Sequence, residues 1–547
     1  MNSIIIALLT VVAFYLAYKW YGSKISNTVE LNNANKTPAV SINDGIDFVP
    51  TAKQILFGHH FASIAGAGPI IGPVLAALYF GWLPALAWII LGSIFIGGVH
   101  DFTSMVASLR HQGRSIADIA EDTISRRAKI LFATFLWLAL ILIICVFAVV
   151  AGKSLAVKPE VVFPTLMIIP VAILFGFLVY KLRVNVLIAS TIGVGLLFVF
   201  IWIGINHPIV IASDVGTATK YWTVILLVYS LIASVLPVWV ILQPRDYLST
   251  SVLFLGLTLG YIGLLISHPT INAPPVVAYN AKPGPIWPML FVIVACGAIS
   301  GFHSLVASGT TSKQVEKEED AKAIGYGGTL TEGILAVMAL LAVIAGLYWK
   351  GDSALSFPVL MKEKGWIVTF ATGYGQLTKP LLGATLGTLF GIIVIKTFVL
   401  TTLDTATRLG RFIGTELFGS RGVGINAMDN RYVSTIVILI PAAYLALTGD
   451  WQKVWPVFGA ANQLIAALTL FVVTMWLVEY KKPTKYTLYP AIFMVATTIG
   501  ALLYLTFVSF LPKGKYLLSG VSLVLLALAV LMVSEVWKKR QKVSSKV

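Results

Sequence analysis

Two neighbouring histidines, His59 and His60, lie in an apolar stretch that glycine and proline interrupt, FGHHFASIAGAGPIIGP (57–73). Histidine can donate a hydrogen bond when it is neutral, and it can bind a proton near physiological pH. The glycines and the proline from Gly66 to Pro69 free backbone groups that lipid cannot satisfy, so neighbouring helices or a cavity must satisfy them. We interpret the stretch as part of a binding site; the alternative is that its small residues only permit close helix packing.

A second apolar stretch repeats part of this pattern. Gly301 to Gly309 aligns with Gly58 to Gly66, which matches a glycine, a histidine two residues later, and a small residue followed by glycine at the end. The predicted topology makes the two stretches run in opposite directions, as the halves of an inverted repeat do. We predict two broken helices, with breaks near Gly66–Pro69 and near Ser300–Ser304, that lie against one another. A substrate site between the breaks would be lined by His59, His60, Ser63, Gly66, Phe302, His303 and Ser304.

Other ionisable residues are predicted at membrane depth, where they are costly and therefore functional candidates. Lys396 and Asp404 lie on one predicted helix, two turns apart on roughly one side, and we do not expect them to pair. His100 and Asp101 are adjacent candidates, and partial hydration near a membrane face would explain them equally well. We expect Glu332 at the inner membrane interface.

The sequence gives little support to an enzyme. The residues AGKS (151–154) end like a phosphate-binding loop, but Phe147 stands where that motif needs glycine. No HExxH motif occurs, and adjacent histidines on a helix point about 100° apart, so they cannot face one metal as an i, i+4 pair does. We predict no catalytic residue, no cofactor and no resident metal, and keep as a minor alternative a metal site formed by His60, His303 and Asp101.

The composition indicates a membrane protein. Of 547 residues, 58% are hydrophobic and 11% are charged, with a mean hydropathy of +0.89. No soluble core explains this excess, and the chain reads as a polytopic helical membrane protein. The net charge of +16 implies no nucleic-acid partner, because the basic residues lie in short loops that orient a membrane chain. Cys145 and Cys296 lie in apolar segments and can form neither a disulfide framework nor a zinc cluster.

About fifteen crossings can be traced, and their loops indicate an orientation. With the N-terminus outside, all eleven arginines, among them Arg245 and Arg408, fall in predicted cytoplasmic loops or the cytoplasmic tail, as the positive-inside rule requires. The longest loops, 22–52 and 350–379, link helices without forming a domain. The predicted segments are 3–21, 53–80, 84–109, 130–152, 161–180, 184–205, 222–242, 247–267, 287–310, 323–349, 380–407, 432–448, 455–480, 486–511 and 516–537.

Three runs of sequence resemble the carbon starvation protein A (CstA) family of membrane transporters. They are DGIDFVPTAKQILFGHHFASIAGAGPIIGP (44–73), GGVHDF (97–102) and CGAISGFHSLVASGTTSKQ (296–314), and the resemblance extends over most of the chain. The family looks related to the amino acid–polyamine–organocation superfamily, whose core is two inverted five-helix repeats with broken first and sixth helices. The resemblance thus implies an all-α fold with a 5+5 inverted-repeat core, two broken helices and extra helices.

The same resemblance implies a division of the chain. An N-terminal helix and loop would occupy 1–52, and C-terminal helices with a basic tail would occupy 481–547. The transporter core would lie between them, at 53–480. Its repeats would be about 53–205 and 287–480, separated by an inserted helix pair at 222–267.

For function, the resemblance implies import of peptides across the cell membrane during carbon starvation, with pyruvate or another small carboxylate as the alternative. The matching superfamily helix supplies hydroxyls to a cation site, which implies ion coupling by Thr401 and Thr402. His60, His303 and Asp404 could equally carry protons, and Asp101 is a further candidate for ion coupling. We favour protons over Na⁺, because carboxylate uptake in such families commonly uses them. A passive channel is the alternative from another class. The sequence leaves open the substrate, the coupling ion and any oligomer within the lipid bilayer.

Overall fold

A computed structural model describes residues 2–351, 354–420, 422–448 and 451–544, so the last three residues of the basic tail lie outside it. The described chain is almost entirely helical, and its strands form one antiparallel hairpin, β1 (Asn280–Ala281) with β2 (Gly284–Pro285). The helices before this hairpin are α1 (Ser3–Leu16), α2 (Gly22–Val29), α3 (Pro38–Ser41), α4 (Lys53–Ile64), α5 (Gly68–Tyr79), α6 (Trp82–Gly92), α7 (Gly98–Arg110), α8 (Ile116–Thr123), α9 (Arg126–Val157), α10 (Val162–Gly176), α11 (Val186–Asn206), α12 (Val215–Val235) and α13 (Leu242–Ser267).

The helices after the hairpin complete the chain. They are α14 (Ile286–Ile293), α15 (Gly301–Gly309), α16 (Gly327–Ile344), α17 (Phe357–Glu363), α18 (Gly365–Leu377), α19 (Lys379–Leu382), α20 (Ala384–Phe418), α21 (Arg431–Leu447), α22 (Trp451–Glu479), α23 (Lys485–Leu503) and α24 (Tyr516–Ser544).

The predicted membrane segments all correspond to helices. Among the described residues, twelve helices are long and apolar enough to cross a membrane, and the bent pair α4 and α5 makes a thirteenth span. The two remaining predicted segments are the shorter apolar helix α21 and the interrupted stretch of α14 and α15. The predicted fold class, an all-α polytopic membrane protein with two broken helices, is confirmed.

The first break lies where the sequence predicts it. Helix α4 ends at Ile64, α5 begins at Gly68, and the two axes are bent by 42°. Pro69 falls in the first turn of α5, where its missing N–H costs nothing because that position has no intrahelical acceptor. The break therefore separates two regular half-helices.

The second break lies earlier than predicted. Helix α14 ends at Ile293, a short 3₁₀ turn occupies Ala295–Gly297, and α15 begins at Gly301. Residues Ser300–Ser304, predicted as the break, instead form the start of α15, because the side chain of Asn462 accepts a hydrogen bond from the Phe302 N–H at 2.9 Å. The side-chain acceptor satisfies a helix-start donor that would otherwise lack a partner.

The two breaks lie directly against one another, as predicted. A Cβ atom built on Gly68 would lie 1.9 Å from the Cβ of Cys296, and one built on Gly72 would lie 2.7 Å from the Ile293 carbonyl oxygen. Only glycine allows this approach of α5 to the second break. The glycines that mark the first break in the sequence therefore also set its distance from the second.

Hydrogen bonds group the loops into two ends of the bundle, in agreement with the alternating topology. At one end, Ser3 Oγ donates to the Pro269 carbonyl at 2.6 Å. At the other, Asn35 Nδ2 and Arg110 Nε both donate to the Glu318 carboxylate, at 2.6 and 2.8 Å. Which end faces the cytoplasm stays a prediction.

Several arginines predicted to lie in loops lie in helices instead, and two of them, Arg245 and Arg408, are almost fully buried. Arg245 is in the first turn of α13 and Arg408 is in α20, and each is only 1% exposed. Both have carboxylate partners, Asp404 for Arg245 and Asp47 for Arg408. A count of basic residues near segment ends cannot detect such pairing, because the partners are remote in sequence.

The predicted inserted pair and the predicted loop 350–379 both pack on the core. Helix α12 packs on α9, and α13 packs on α4. The loop forms α17 and α18, and the Tyr374 hydroxyl of α18 donates to the Gly256 carbonyl of α13 at 2.7 Å. The boundaries of the repeats stay a prediction.

Candidate functional site

A narrow cavity, with room for little more than one water molecule, lies where the two broken helices meet. Of the seven residues predicted to line a substrate site, Gly66 and Phe302 line this cavity, as does Thr402 from the predicted ion-coupling set. None of the side chains that line it carries a charge. The other lining residues are Ile64, Gly68, Pro69, Ile143, Phe147, Cys296, Ser300, Phe458 and Asn462.

Asn462 on α22 braces the second break from the cavity side. Its Nδ2 donates to Ser300 Oγ at 2.9 Å and contacts Cys296 Sγ at 3.0 Å, while its Oδ1 accepts from the Phe302 N–H. One amide side chain thus holds both sides of the gap between the 3₁₀ turn and α15. The sequence analysis missed Asn462; its only signal was an amide inside an apolar segment.

His59 points away from the cavity, towards the inserted helix α13. Its Nδ1 lies 2.7 Å from Asp246 Oδ2, and its Nε2 lies 3.2 Å from Thr310 Oγ1. Both His59 and Asp246 are completely buried. The imidazole therefore has a partner on each nitrogen, and one partner is a carboxylate.

Asp246 belongs to a larger buried charge network. The neighbouring Arg245 bonds Asp246 Oδ1 through Nη2 at 2.5 Å and bonds Asp404 on α20 through Nη1. The Tyr229 hydroxyl also donates to Asp404, at 2.9 Å. Asp404 and Lys396 do not pair, as predicted, because the Lys396 ammonium donates to the Val161 carbonyl at 2.5 Å.

His60 lies on a different face of α4 and contacts α7. Its Nε2 is 3.1 Å from Asp101 Oδ2, and its Nδ1 is 2.9 Å from Thr311 Oγ1. The Thr329 hydroxyl donates to the same Asp101 oxygen at 2.9 Å. Asp101 and its neighbour His100 are fully buried, so the alternative of partial hydration does not hold for either residue.

His303 faces α16 rather than the cavity. Its Nε2 lies 3.0 Å from Glu332 Oε2, and its ring lies 6.1 Å from that of His100. Glu332 is only 1% exposed and therefore faces the protein interior, while its depth relative to the membrane stays a prediction.

The remaining predicted hydroxyls connect helices. Ser63 Oγ donates to the His59 carbonyl at 2.8 Å and lies 3.0 Å from Thr405 Oγ1. Thr402 donates to the Ser63 carbonyl at 3.1 Å, and Thr401 beside it is buried. Ser304 donates to the Gly301 carbonyl at 2.7 Å and lies 3.0 Å from a second hydroxyl, on α22.

The structure thus separates the predicted site residues into three groups. Gly66, Phe302 and Thr402 meet at the cavity; His59 and Asp404 join the Arg245 network; His60, Asp101 and His303 lie together with Glu332. Among the described residues, no group of three or more His, Cys, Asp or Glu side chains is arranged to hold a metal ion. Their roles in substrate binding and ion coupling stay predictions.

This combination of an all-helical membrane bundle and a cavity between two broken helices defines the transporter class. A solved structure of the manganese transporter of Eremococcus coleocola superposes with a TM-score of 0.50 at 12% identity, covering 91% of this chain and 99% of that one. At this identity the likeness shows the fold alone.

Sequence comparison gives the family. The profile of the carbon starvation protein CstA family matches residues 2–357 and 352–501, and the chain belongs to that family. It is 33% identical to the peptide transporter CstA of Campylobacter jejuni, over 91% of this chain and 79% of the relative. It is 31% identical to the peptide transporter CstA of Escherichia coli, over 88% and 78%. The pyruvate/proton symporter BtsT of Escherichia coli is 32% identical, over 91% and 81%.

Proposed function

We propose that this protein is a secondary active transporter that imports short peptides by alternating access, coupled to protons. The observation that carries the proposal is the cavity enclosed by two broken helices in a member of the CstA family. Relatives named as peptide transporters are 31% and 33% identical over most of the chain. Broken helices near the membrane midplane are where many secondary transporters bind their substrates.

The cavity has groups that suit a peptide backbone. The start of α5 faces it at Gly68, where the positive end of the helix dipole favours a carboxylate. Ser300, Thr402 and Asn462 add hydroxyl and amide groups. Because no charged side chain lines the cavity, the charged ends of a bound peptide would have to be satisfied by backbone groups and by these polar side chains. The cavity has room for little more than one water molecule, so the helices must separate before a solute can enter.

A small carboxylate such as pyruvate is the second candidate. The 32% identity to a pyruvate/proton symporter equals that to the peptide transporters, and the small cavity volume favours a small solute. A carboxylate that enters together with one proton would also leave the cavity neutral. The same two breaks and the same helix start serve either substrate.

Several further properties belong to the proposal. Na⁺ is the alternative coupling ion, since the Thr402 hydroxyl and the Ser63 carbonyl supply oxygens between α20 and α4. The protein would lie in the cell membrane with its N-terminus outside and its C-terminus in the cytoplasm. It would have no enzymatic activity, bind no nucleic acid and need no cofactor.

Counterflow in proteoliposomes tests this proposal. Vesicles preloaded with unlabelled Ala-Ala should take up labelled Ala-Ala faster than empty vesicles, and protein-free vesicles should show no uptake. Equal rates in loaded and empty vesicles would identify a passive channel instead. The same assay with labelled pyruvate ranks the two substrates. Accumulation should stop when the pH gradient is collapsed; accumulation that persists and instead requires Na⁺ would refute proton coupling.

A further inference from the structure

Four titratable side chains from four helices form a completely buried cluster beside the cavity. His60 comes from α4, Asp101 from α7, His303 from α15 and Glu332 from α16, and each is 0–1% exposed. Glu332 is within electrostatic range of both Asp101 and His60, so the cluster acts as one unit. A charged group in such a place is costly, so it is retained where it has a function.

The cluster consists of two similar pairs. His60 lies 3.1 Å from the carboxylate of Asp101, and His303 lies 3.0 Å from that of Glu332. The repeat alignment sets His60 opposite His303, and each histidine pairs with a carboxylate on the next long helix of its half. The alignment matches only four of nine positions. The structure gives it a physical meaning, because the two aligned histidines make the same kind of contact.

The two pairs differ in their surroundings. Asp101 also accepts from Thr329, and His60 also contacts Thr311, so the first pair is held from both sides. The second pair has no such support. Among the described residues, the two His303 nitrogens and the two Glu332 oxygens have no hydrogen-bond partner of good geometry. The contact between the two side chains is 3.0 Å long but poorly aligned. Buried polar groups are rarely left in this state.

The charges of the second pair indicate that it holds one proton. An ionised Glu332 beside a neutral His303 would be a buried negative charge with no aligned donor, which is costly. One proton on either group removes the net charge of the pair. The first pair can share a proton in the same way, and its two side chains have additional hydroxyl partners in Thr311 and Thr329.

We propose that the His303–Glu332 pair binds and releases the proton that drives transport, while the His60–Asp101 pair keeps its own proton and positions α4 against α7. This inference rests on the proposed function. In each cycle one proton from water on the entry side joins the pair, which gains one positive charge and becomes neutral. The same proton leaves to water on the exit side, which restores the buried negative charge and favours return.

The position of the pair suits coupling to the cavity. His303 follows directly after Phe302, which lines the cavity, and Cys296, also at the cavity, is within electrostatic range of Glu332. Movement of α15 that opens the cavity must therefore move the pair. A proton on the pair and a substrate in the cavity thus favour the same closed arrangement.

The other titratable groups on the helices around the pair have partners elsewhere. His100, 6.1 Å from His303 between ring centres, is the exception: it lies beside the pair and is a candidate relay. Among the described residues these contacts include His59 with Asp246, Asp404 with Arg245, Arg408 and Arg411 with Asp47, Lys396 with the Val161 carbonyl, Glu416 with Ser115, Asp118 with Arg114, Lys322 with Ser23, Tyr261 with the Ile334 carbonyl, Tyr326 with the Ile94 carbonyl and Tyr374 with the Gly256 carbonyl.

Glu332→Gln separates coupling from substrate exchange. The variant mimics a permanently protonated carboxyl, so pH-gradient-driven accumulation of Ala-Ala should fall about tenfold or more, while counterflow, which needs no net proton movement, should stay within about twofold of wild type. Glu416→Gln, on the half-buried carboxyl that Ser115 bonds, is the matched control and should retain both. Unchanged accumulation in Glu332→Gln at equal expression would overturn the assignment.

His303→Gln and His60→Gln distinguish the two pairs. His303→Gln should also uncouple accumulation from the pH gradient, whereas His60→Gln should lower thermal stability and keep the proton-to-substrate ratio. Uncoupling by His60→Gln alone would assign the proton to the first pair and refute the proposal.

A measurement without transport keeps the inference separate from the proposed function. The infrared spectrum of the purified wild-type protein should contain the carbonyl band of a protonated carboxyl group that disappears as pH rises and is missing in Glu332→Gln. An identical pH response in both proteins would refute the proton site. Absence of Ala-Ala and pyruvate counterflow in wild type would instead refute the proposed function, whatever the spectra show.

Discussion

Arg245 on α13 forms an ion pair with Asp404 on α20, and both side chains are closed to water, at 1% and 0% exposure. The same guanidinium bonds Asp246, which in turn holds His59 on the first half of the broken helix. The inserted helix therefore ties a broken helix to the long helix α20. A single arginine thus bonds two carboxylates in this network.

Replacing Arg245 should cost more than replacing Asp404. Arg245→Met leaves two buried carboxylates without their cation, which should destabilise the protein by about 3–5 kcal/mol. Asp404→Asn leaves Arg245 paired with Asp246 and should cost less. Thermal unfolding in detergent measures both. Arg126→Met, an exposed arginine at the start of α9, is the control and should shift stability by less than about 0.5 kcal/mol. Equal losses in the two buried variants would contradict this account.

Asp47 should make stability depend on pH below about pH 4. Burial opposes ionisation of Asp47, but Arg408, Arg411 and Lys313 outweigh it and hold its pKa below the ordinary value of 3.8. A depressed carboxyl pKa contributes stability that is present above the ordinary value and is lost as pH falls through the folded-state pKa. Wild type should therefore lose stability as pH falls from about 4, and Asp47→Asn should lose less over that range.

At neutral pH, Asp47→Asn should already be less stable than wild type by about 1.5–3 kcal/mol, the usual contribution of a hydrogen bond to a charged group. Melting temperatures measured from about pH 5 to about pH 2 test both statements. Glu363→Gln, on an exposed carboxyl of α17, should leave the pH profile unchanged. Parallel profiles for wild type and Asp47→Asn would show that Asp47 does not stabilise the folded state.

Local sequence features predicted the helices and the first break well. Apolar runs of helical length need no information from remote residues, because each spanning helix satisfies its own backbone. Gly66 and Pro69 likewise break the helix by their own conformational properties. The second break was misplaced by several residues because its position depends on Asn462, which comes from α22, more than 150 residues later.

Ion pairs between residues that are remote in sequence could not be predicted from the sequence. Arg245 reads as a loop residue and Glu332 as an interfacial one, since each lies near the end of an apolar run. Their burial follows from partners on other helices, Asp404 and His303. The histidines could be identified as candidates from their membrane depth, but their direction, away from the cavity, depends on how α4 and α15 are rotated in the bundle.

Asn462 should be required to hold the second break. Asn462→Ala removes the acceptor of the Phe302 N–H and the donor to Ser300, which should cost about 1–3 kcal/mol and weaken substrate binding. Asn462→Asp keeps an acceptor for the Phe302 N–H and the Ser300 hydroxyl but loses the amide donor, so it should lose less stability than Asn462→Ala. Melting temperature and the concentration for half-maximal Ala-Ala uptake measure the two effects. An Asn462→Ala variant with wild-type values of both would exclude this role.

Close contact at the breaks should make Gly68 irreplaceable unless Cys296 changes with it. Gly68→Ala places a Cβ 1.9 Å from the Cβ of Cys296, so α5 and the second break must move apart, and the variant should lose stability and transport. Cys296→Gly removes the opposing Cβ, so the double variant should recover much of both. Gly195→Ala, on α11 with nothing within 4 Å of the new Cβ, should be neutral or slightly stabilising. Thermal unfolding and Ala-Ala counterflow provide the measurements. A Gly68→Ala variant as stable and active as wild type, or a double variant no better than Gly68→Ala, would contradict the packing of the two breaks.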